Sequence, residues 1–150
     1  MATPKLYHQC SDCGTTDPQR LYASRKMPRC HDCQHYFNLT TKATGGGVTF
    51  TREQFLAWRE EEGHRACKYC RITSAELTKL AIVNVRTKRP FEVIGVDRRD
   101  NTQPYALDNL VPCCAPCNGI KSGLLTEAEM DTLGPVLAGI WKARLDKLAA

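Results

Sequence analysis

Eight of the chain's nine cysteines fall into four Cys-x-x-Cys pairs, at positions 10/13, 30/33, 67/70 and 114/117. The two-residue gap lets both sulfurs of a pair reach one ion from a single tight turn, and two such pairs complete a tetrahedral zinc site. Disulfides explain neither the pairing nor the odd total. Sequence order groups Cys10, Cys13, Cys30 and Cys33 at one site, and Cys67, Cys70, Cys114 and Cys117 at the other. Cys113 competes with Cys114, but only Cys114 keeps the two-residue gap to Cys117, so Cys113 reads as a buried bystander thiol. Both sites are closed and therefore structural, because a catalytic zinc keeps one position open for water. A set of free or redox-active cysteines is the competing reading, and it leaves the spacing unexplained.

A chain of 150 residues implies one compact domain with room for a small subdomain. Aromatic residues make up only 7% of it, so a large apolar core is not expected and metal has to help hold the fold. The segment Met1–Gln9 does not look like a secretory leader, and no apolar run reaches the roughly 18 residues of a membrane span. The expectation is a soluble, cytoplasmic protein with reduced thiols and no membrane partner. The Asn38-Leu39-Thr40 glycosylation pattern is then without relevance. A net charge of +5 agrees with a polyanionic partner. Basic clusters at Arg25/Lys26/Arg29, Arg86/Lys88/Arg89 and Arg98/Arg99 have solvated surface as their plain alternative.

Three regions follow. Residues 1–50 read as a zinc knuckle, with Gly45-Gly46-Gly47 as a flexible turn. In residues 51–125, Thr51 and Gln54 form a capping box that opens a helix burying Phe55, Leu56 and Trp58 and ending near Gly63. Residues 74–90 are ambiguous. Phe91–Asp97 reads as a strand, Arg98–Ala106 as a loop and Leu107–Cys113 as a returning strand, after which Cys114-Ala-Pro-Cys117-Asn118 leads into a short helix ending at Gly123. Residues 126–150 open with a second capping box, Thr126 with Glu129. Gly134-Pro135 is expected to divide this last helix in two, since proline removes an internal hydrogen bond and clashes with the preceding turn.

One stretch carries chemistry: Val96-Asp97-Arg98-Arg99-Asp100-Asn101, then Asn109-Leu110, then Cys114-x-x-Cys117-Asn118-x-x-Lys121. It resembles the HNH, or ββα-metal, nucleases. Their pattern is a strand ending in Asp-His, a loop, an Asn-Leu on the return strand and a helix bearing a His or Asn metal ligand, with Cys-x-x-Cys pairs bracing the zinc-containing members. Gly95-Val-Asp-Arg98, Cys67-Lys-Tyr-Cys70, Cys117-Asn-Gly-Ile-Lys-Ser122, Thr49-Phe-Thr51, Phe55-Leu-Ala-Trp58, Glu129-Met-Asp-Thr-Leu-Gly134 and both N-terminal hooks are similar to the zinc-containing restriction endonucleases of that family. The fold implied is α+β: a small zinc-stabilised ββα-metal (HNH) nuclease core with an N-terminal four-cysteine zinc knuckle and C-terminal helices.

The resemblance implies that Asp97 and Asn118 hold a catalytic Mg²⁺ or similar cation, and both offer the hard oxygen ligands such an ion takes. Alone, Asp97 would read as a turn or salt-bridge residue and Asn118 as a cap. Arg98 stands where many members carry the general-base histidine. It can hold phosphate but cannot deprotonate water, which leaves the base unassigned. Tyr69 is a candidate to orient or activate water, with packing over the zinc knuckle as its plain alternative. Gly46 stands where a histidine is expected, and His64 is a candidate substitute. Asn109 and Asp100 are expected to brace the loop. Arg20, Arg25, Lys26, Arg29, Arg99 and Lys121 are the candidate DNA contacts.

The function implied is sequence-specific cleavage of double-stranded DNA by a bacterial or phage homodimer, since one small active site makes one nick. A nicking or homing enzyme of phage or mobile-element origin is the second reading. A non-catalytic zinc module that binds nucleic acid is the third, and it has no need for Asp97 with Asn118.

Overall fold

The computed structural model describes residue 3 and residues 5–42 and 47–150. In chain order the elements are helices α1 (His31–Lys42), α2 (Arg52–Glu60) and α3 (Ser74–Leu80), strand β1 (Gly95–Arg98), a 3-10 turn (Leu107–Asn109), strand β2 (Leu110–Cys113) and helices α4 (Ala115–Lys121) and α5 (Glu127–Ala149). The strands pair antiparallel, Gly95 opposite Cys113 through Arg98 opposite Leu110.

So short a hairpin is not stable alone and is clamped on both faces. Side chains alternate across a strand, which sends Val96 and Leu110 to a cluster with Phe50, Phe55 and Trp58. Val111 and Cys113 face the other way, into a core with Cys67, Leu77, Met130 and Trp141. Asp97 pairs with Val111 and so points to this second face, where α4 and α5 pack. The two strands and α4 form a ββα unit, as the sequence leads one to expect.

Local signals set several helix starts. Thr51 Oγ1 accepts from Gln54 N at 3.2 Å, while Gln54 Oε1 accepts from Thr51 N at 2.8 Å. Thr126 and Glu129 repeat the device at α5, and Thr73 with Glu76 repeats it at α3, the element inside the ambiguous stretch. The rest of that stretch is a turn closed by the Val83–Pro90 bridge, with Asn84 Oδ1 accepting from the amides of Arg86 and Thr87.

Three expectations are corrected. Helix α5 runs unbroken through Gly134-Pro135. An interior proline costs about 3 kcal/mol, whereas burying Met130 and Trp141 on one helix face returns roughly 1.5–3 kcal/mol each, so packing outweighs the break. Gly134 also lets α5 approach the third cysteine hook closely: a Cβ there would stand 2.2 Å from the Tyr69 carbonyl oxygen. Second, the strand predicted over Phe91–Asp97 begins only at Gly95, because the Ile94 amide bonds to Ser74 Oγ instead of a ladder partner. Third, the return strand begins at Leu110, after the 3-10 turn. The first region also holds helix α1, which grows out of the turn bearing Cys30 and Cys33 and is not expected from the hooks alone. Gly45 and Gly46, two residues of the flexible turn read from the sequence, lie outside the described residues.

Candidate active site

Each cysteine quartet is gathered tightly enough for one ion. In both groups the four sulfurs lie within 4.8 Å of one another. The Cys13–Cys30 and Cys70–Cys114 sulfur pairs stand 3.7 Å apart, close to the ~3.8 Å edge of a tetrahedron with zinc–sulfur bonds of about 2.3 Å. The residues therefore fit structural zinc at both places. Cys113 stays outside the second quartet, its sulfur directed 3.5 Å from the Cys114 carbonyl. Cys114 also caps α4, its sulfur accepting from Cys117 N at 3.5 Å.

Asp97 sits at the end of β1 with only 8% of its surface exposed. Lys121 Nζ lies 2.9 Å from Asp97 Oδ2 as a charge contact, and that oxygen accepts no aligned hydrogen bond from the described residues. The same ammonium donates to the Arg98 carbonyl at 2.7 Å and to Asn101 Oδ1 at 3.0 Å. Asn101 Nδ2 in turn donates to the Ser122 carbonyl. Lys121 thus ties the C-terminal end of α4 to the loop leaving β1. The sequence reading gives Lys121 a DNA contact. The structure buries it completely, and three partners inside the protein hold its charge away from any external phosphate.

Asn118 lies one turn before Lys121 on α4, so both share the helix face turned to Asp97. Its side chain is exposed and makes no hydrogen bond to described residues. A buried carboxylate oxygen without an aligned donor on β1 and an uncommitted amide oxygen on α4 are both ligand types that suit a hard divalent cation.

Tyr69 borders the same core at 4% exposure, and its buried Oη has no hydrogen-bond partner among the described residues. Burial, then the negative charge of Asp97, pushes the phenol well above its ordinary pKa. Lys68 beside it donates its amide to the Pro112 carbonyl at 2.8 Å, fastening the third hook to β2. Its ammonium pairs with Glu127 and Asp131 on α5.

The loop between the strands is braced from within. Asn109 Nδ2 donates to the carbonyls of Asp100 and Pro104, each at 3.0 Å, and Asn109 Oδ1 accepts from the Asp100 amide. Asp100 accepts from the amide and hydroxyl of Thr102, which hold its carboxyl below the usual range.

Other candidates lie apart. Arg98 alternates to the opposite face from Asp97, its guanidinium 4.8 Å over the Tyr105 ring and donating to the Gln103 carbonyl. His64 lies against Trp58, ring centroids 4.1 Å apart and tilted by 34°, and its Nδ1 contacts the Trp58 carbonyl, so its ring is occupied within the cluster on the Val96 face. Arg29 pairs with Asp12 at 2.7 Å and covers Phe37, and Arg99 pairs with Glu127. Arg25 is half-buried in the left-handed region (φ 55°), and Lys26 is exposed.

Arg20 belongs to a hub that sequence reasoning misses. Asp32, between the second-hook cysteines, is buried and accepts from Arg59 Nε at 3.1 Å, Arg20 at 3.1 Å and Arg65 at 2.9 Å. Burial alone would raise its pKa, but the charges of Arg59 and Arg65 hold the carboxyl below the usual range. Arg59, also buried, donates to the carbonyls of Ile94 and Gly95 at the start of β1. The only sequence signal is an acid inside a Cys-x-x-Cys turn, with arginines far along the chain.

No family model and no curated protein sequence matches the chain. Among solved structures it is similar to the rare-cutting HNH restriction endonuclease PacI, described for its mechanism of DNA perturbation. The TM-score is 0.81 and the identity 34%, over 91% of this chain and 96% of that one. With that identity over nearly the whole of both chains, the protein belongs to the HNH restriction endonuclease family.

Proposed function

We propose that the chain is a sequence-specific endonuclease that hydrolyses phosphodiester bonds of double-stranded DNA with a divalent cation, acting as a homodimer. The observation that carries this is the buried Asp97 carboxylate at the end of β1, facing the helix that bears Asn118, in a chain 34% identical to PacI. Both cysteine quartets hold structural zinc in this reading.

Asp97 and Asn118 would hold the catalytic cation, which when bound supplies positive charge at the scissile phosphate and the leaving 3′ oxygen. Lys121 is a positioning residue. It neutralises the buried Asp97 charge and fixes the Arg98 carbonyl and Asn101, so carboxylate and loop keep one arrangement. Tyr69 stays protonated near neutral pH because of its burial, and its unpartnered O–H is free to orient a water or a phosphate oxygen. Arg98, on the other face, would grip DNA backbone, since a guanidinium holds phosphate but does not take a proton. Lys26 and the neighbouring knuckle surface would add phosphate contacts.

Incubation of phage-length duplex DNA with the purified protein in Mg²⁺ and in EDTA tests the reading. Discrete bands only in Mg²⁺ are expected. A folded, two-zinc protein that retards DNA without cutting it would replace the nuclease with a binding module. Relaxed circles without linear product would point to a nicking enzyme.

A further inference from the structure

Of the three basic clusters in the sequence, only Arg86/Lys88/Arg89 has no part in the proposed function. It stands on the turn that joins α3 to β1. Val83 bridges Pro90 at the base of this turn, and the Phe91 amide donates to the Ile82 carbonyl at 2.8 Å. The Asn84 amide donates to the Arg89 carbonyl at 2.9 Å, while Asn84 Oδ1 accepts from the amides of Arg86 and Thr87, each at 2.9 Å. Bonds from within therefore order the tip. Lys88 closes the turn in the left-handed region (φ 57°), where glycine or asparagine is the ordinary choice, so a charge is kept there at a local cost. Val85, 83% exposed, shows that the tip stands clear of the body.

Elsewhere the cations are matched. Arg20, Arg29, Arg59, Arg65, Lys68 and Arg99 each reach a carboxylate. The three basic side chains of the turn are exposed and make no ion pair or hydrogen bond to described residues, and Glu92, the next acid along the chain, pairs with none of them. Three like charges within four residues repel one another inside one screening length of about 8–10 Å. An external row of anions relieves that repulsion, and duplex DNA offers one negative charge per about 1.7 Å of its axis. The turn also adjoins the knuckle: Thr78 before it and Glu92 and Ile94 after it line a cleft of about 700 Å³ together with Arg20 and Ala23. We infer that the Val83–Pro90 turn grips the phosphate backbone of duplex DNA, as a contact separate from the Asp97 and Asn118 elements and continuous with the knuckle surface. The inference rests on the proposed action on DNA.

Retention of a mixed-sequence DNA duplex by the zinc-loaded full chain, measured without added Mg²⁺ between roughly 50 and 200 mM salt, tests it. Each phosphate contact adds about 0.9 to the steepness with which log affinity falls against log salt. Arg86→Gln with Arg89→Gln should flatten the wild-type slope by about 2. Zinc content and melting should stay unchanged, since neither side chain has a partner to lose. Lys79→Gln with Lys142→Gln removes the same charge from the groove between α3 and α5 and should leave the slope as it is. An unchanged slope in the Arg86/Arg89 variant, or equal flattening by both pairs, would overturn the contact. So would an RNA duplex held more tightly than DNA through the same two arginines. A wild type that cuts DNA, with no flattening in the Arg86/Arg89 variant, refutes the contact and spares the nuclease. A wild type whose hold on DNA depends on the turn but which never cuts supports the contact and removes the nuclease.

Discussion

The two cysteine quartets share one ligand arithmetic and differ in what surrounds them. Cys67, Cys70, Cys114 and Cys117 are all buried, inside a core that includes Leu77, Val111, Met130 and Trp141. Cys10, Cys13, Cys30 and Cys33 leave Cys13 exposed and gather only Leu21, with Leu56 packed alongside. The second quartet joins a hook after α2 to the helix after β2, so it holds the hairpin and α4 together. The first closes a local loop, which is joined to the rest through Asp32 with its three arginines and through Tyr36 and Leu39 of α1, packed against Phe50 and Phe55. Equal spacing in sequence thus gives a keystone in one region and a clip in the other.

Removing a ligand from each quartet is the sharpest contrast. Cys114→Ala should abolish cooperative melting, because structural zinc contributes on the order of 10 kcal/mol to folding. Cys13→Ala should lose one zinc by elemental analysis yet keep a cooperative transition for the nuclease core. Equal collapse of both variants would erase the distinction. In the proposed function the keystone region also carries the chemistry, so Asp97→Ala is expected to lower cleavage by roughly 10³-fold while gel retardation and zinc content hold. Cleavage near the wild-type rate would remove Asp97 from the site.

The clip is tested through its charges. Asp32→Asn leaves Arg59 buried without its counter-charge, and denaturant unfolding should show a loss of about 3–5 kcal/mol. A loss under about 1 kcal/mol, the range of surface ion pairs, would mean that the hub does not join the two regions. The smallest effect is at the approach of α5 to the keystone. Gly134→Ala places a methyl against the Tyr69 carbonyl and should cost about 1–3 kcal/mol. An unchanged melting temperature there would mean that α5 can shift without penalty.

Much of this is legible in the sequence where the cause is local. Cys-x-x-Cys spacing partitions the ligands, and the Thr51/Gln54 and Thr126/Glu129 boxes mark helix starts, because each depends on residues within one turn. The hairpin is visible too but reads too long, since β-branched composition does not reveal that the Ile94 amide is taken by Ser74. What escapes depends on residues far apart. Lys121 looks like a solvated helix-end lysine until the fold places Asp97, the Arg98 carbonyl and Asn101 around it. Asp32 looks like any acid beside a cysteine until Arg20, Arg59 and Arg65 converge on it. The proline in α5 breaks a helix by local rules, and only its tertiary packing reverses that.

Helix α4 has only seven residues, too few to persist in water on its own. One end is capped by the sulfur of Cys114 and the other is tied down through Lys121. Asn118 therefore inherits its position from two internal anchors and from nothing at the surface. In the proposed nuclease, evolution could then rewrite the basic knuckle and the exposed loops, and with them the DNA sequence addressed, while the cutting centre passed unchanged from one specificity to the next.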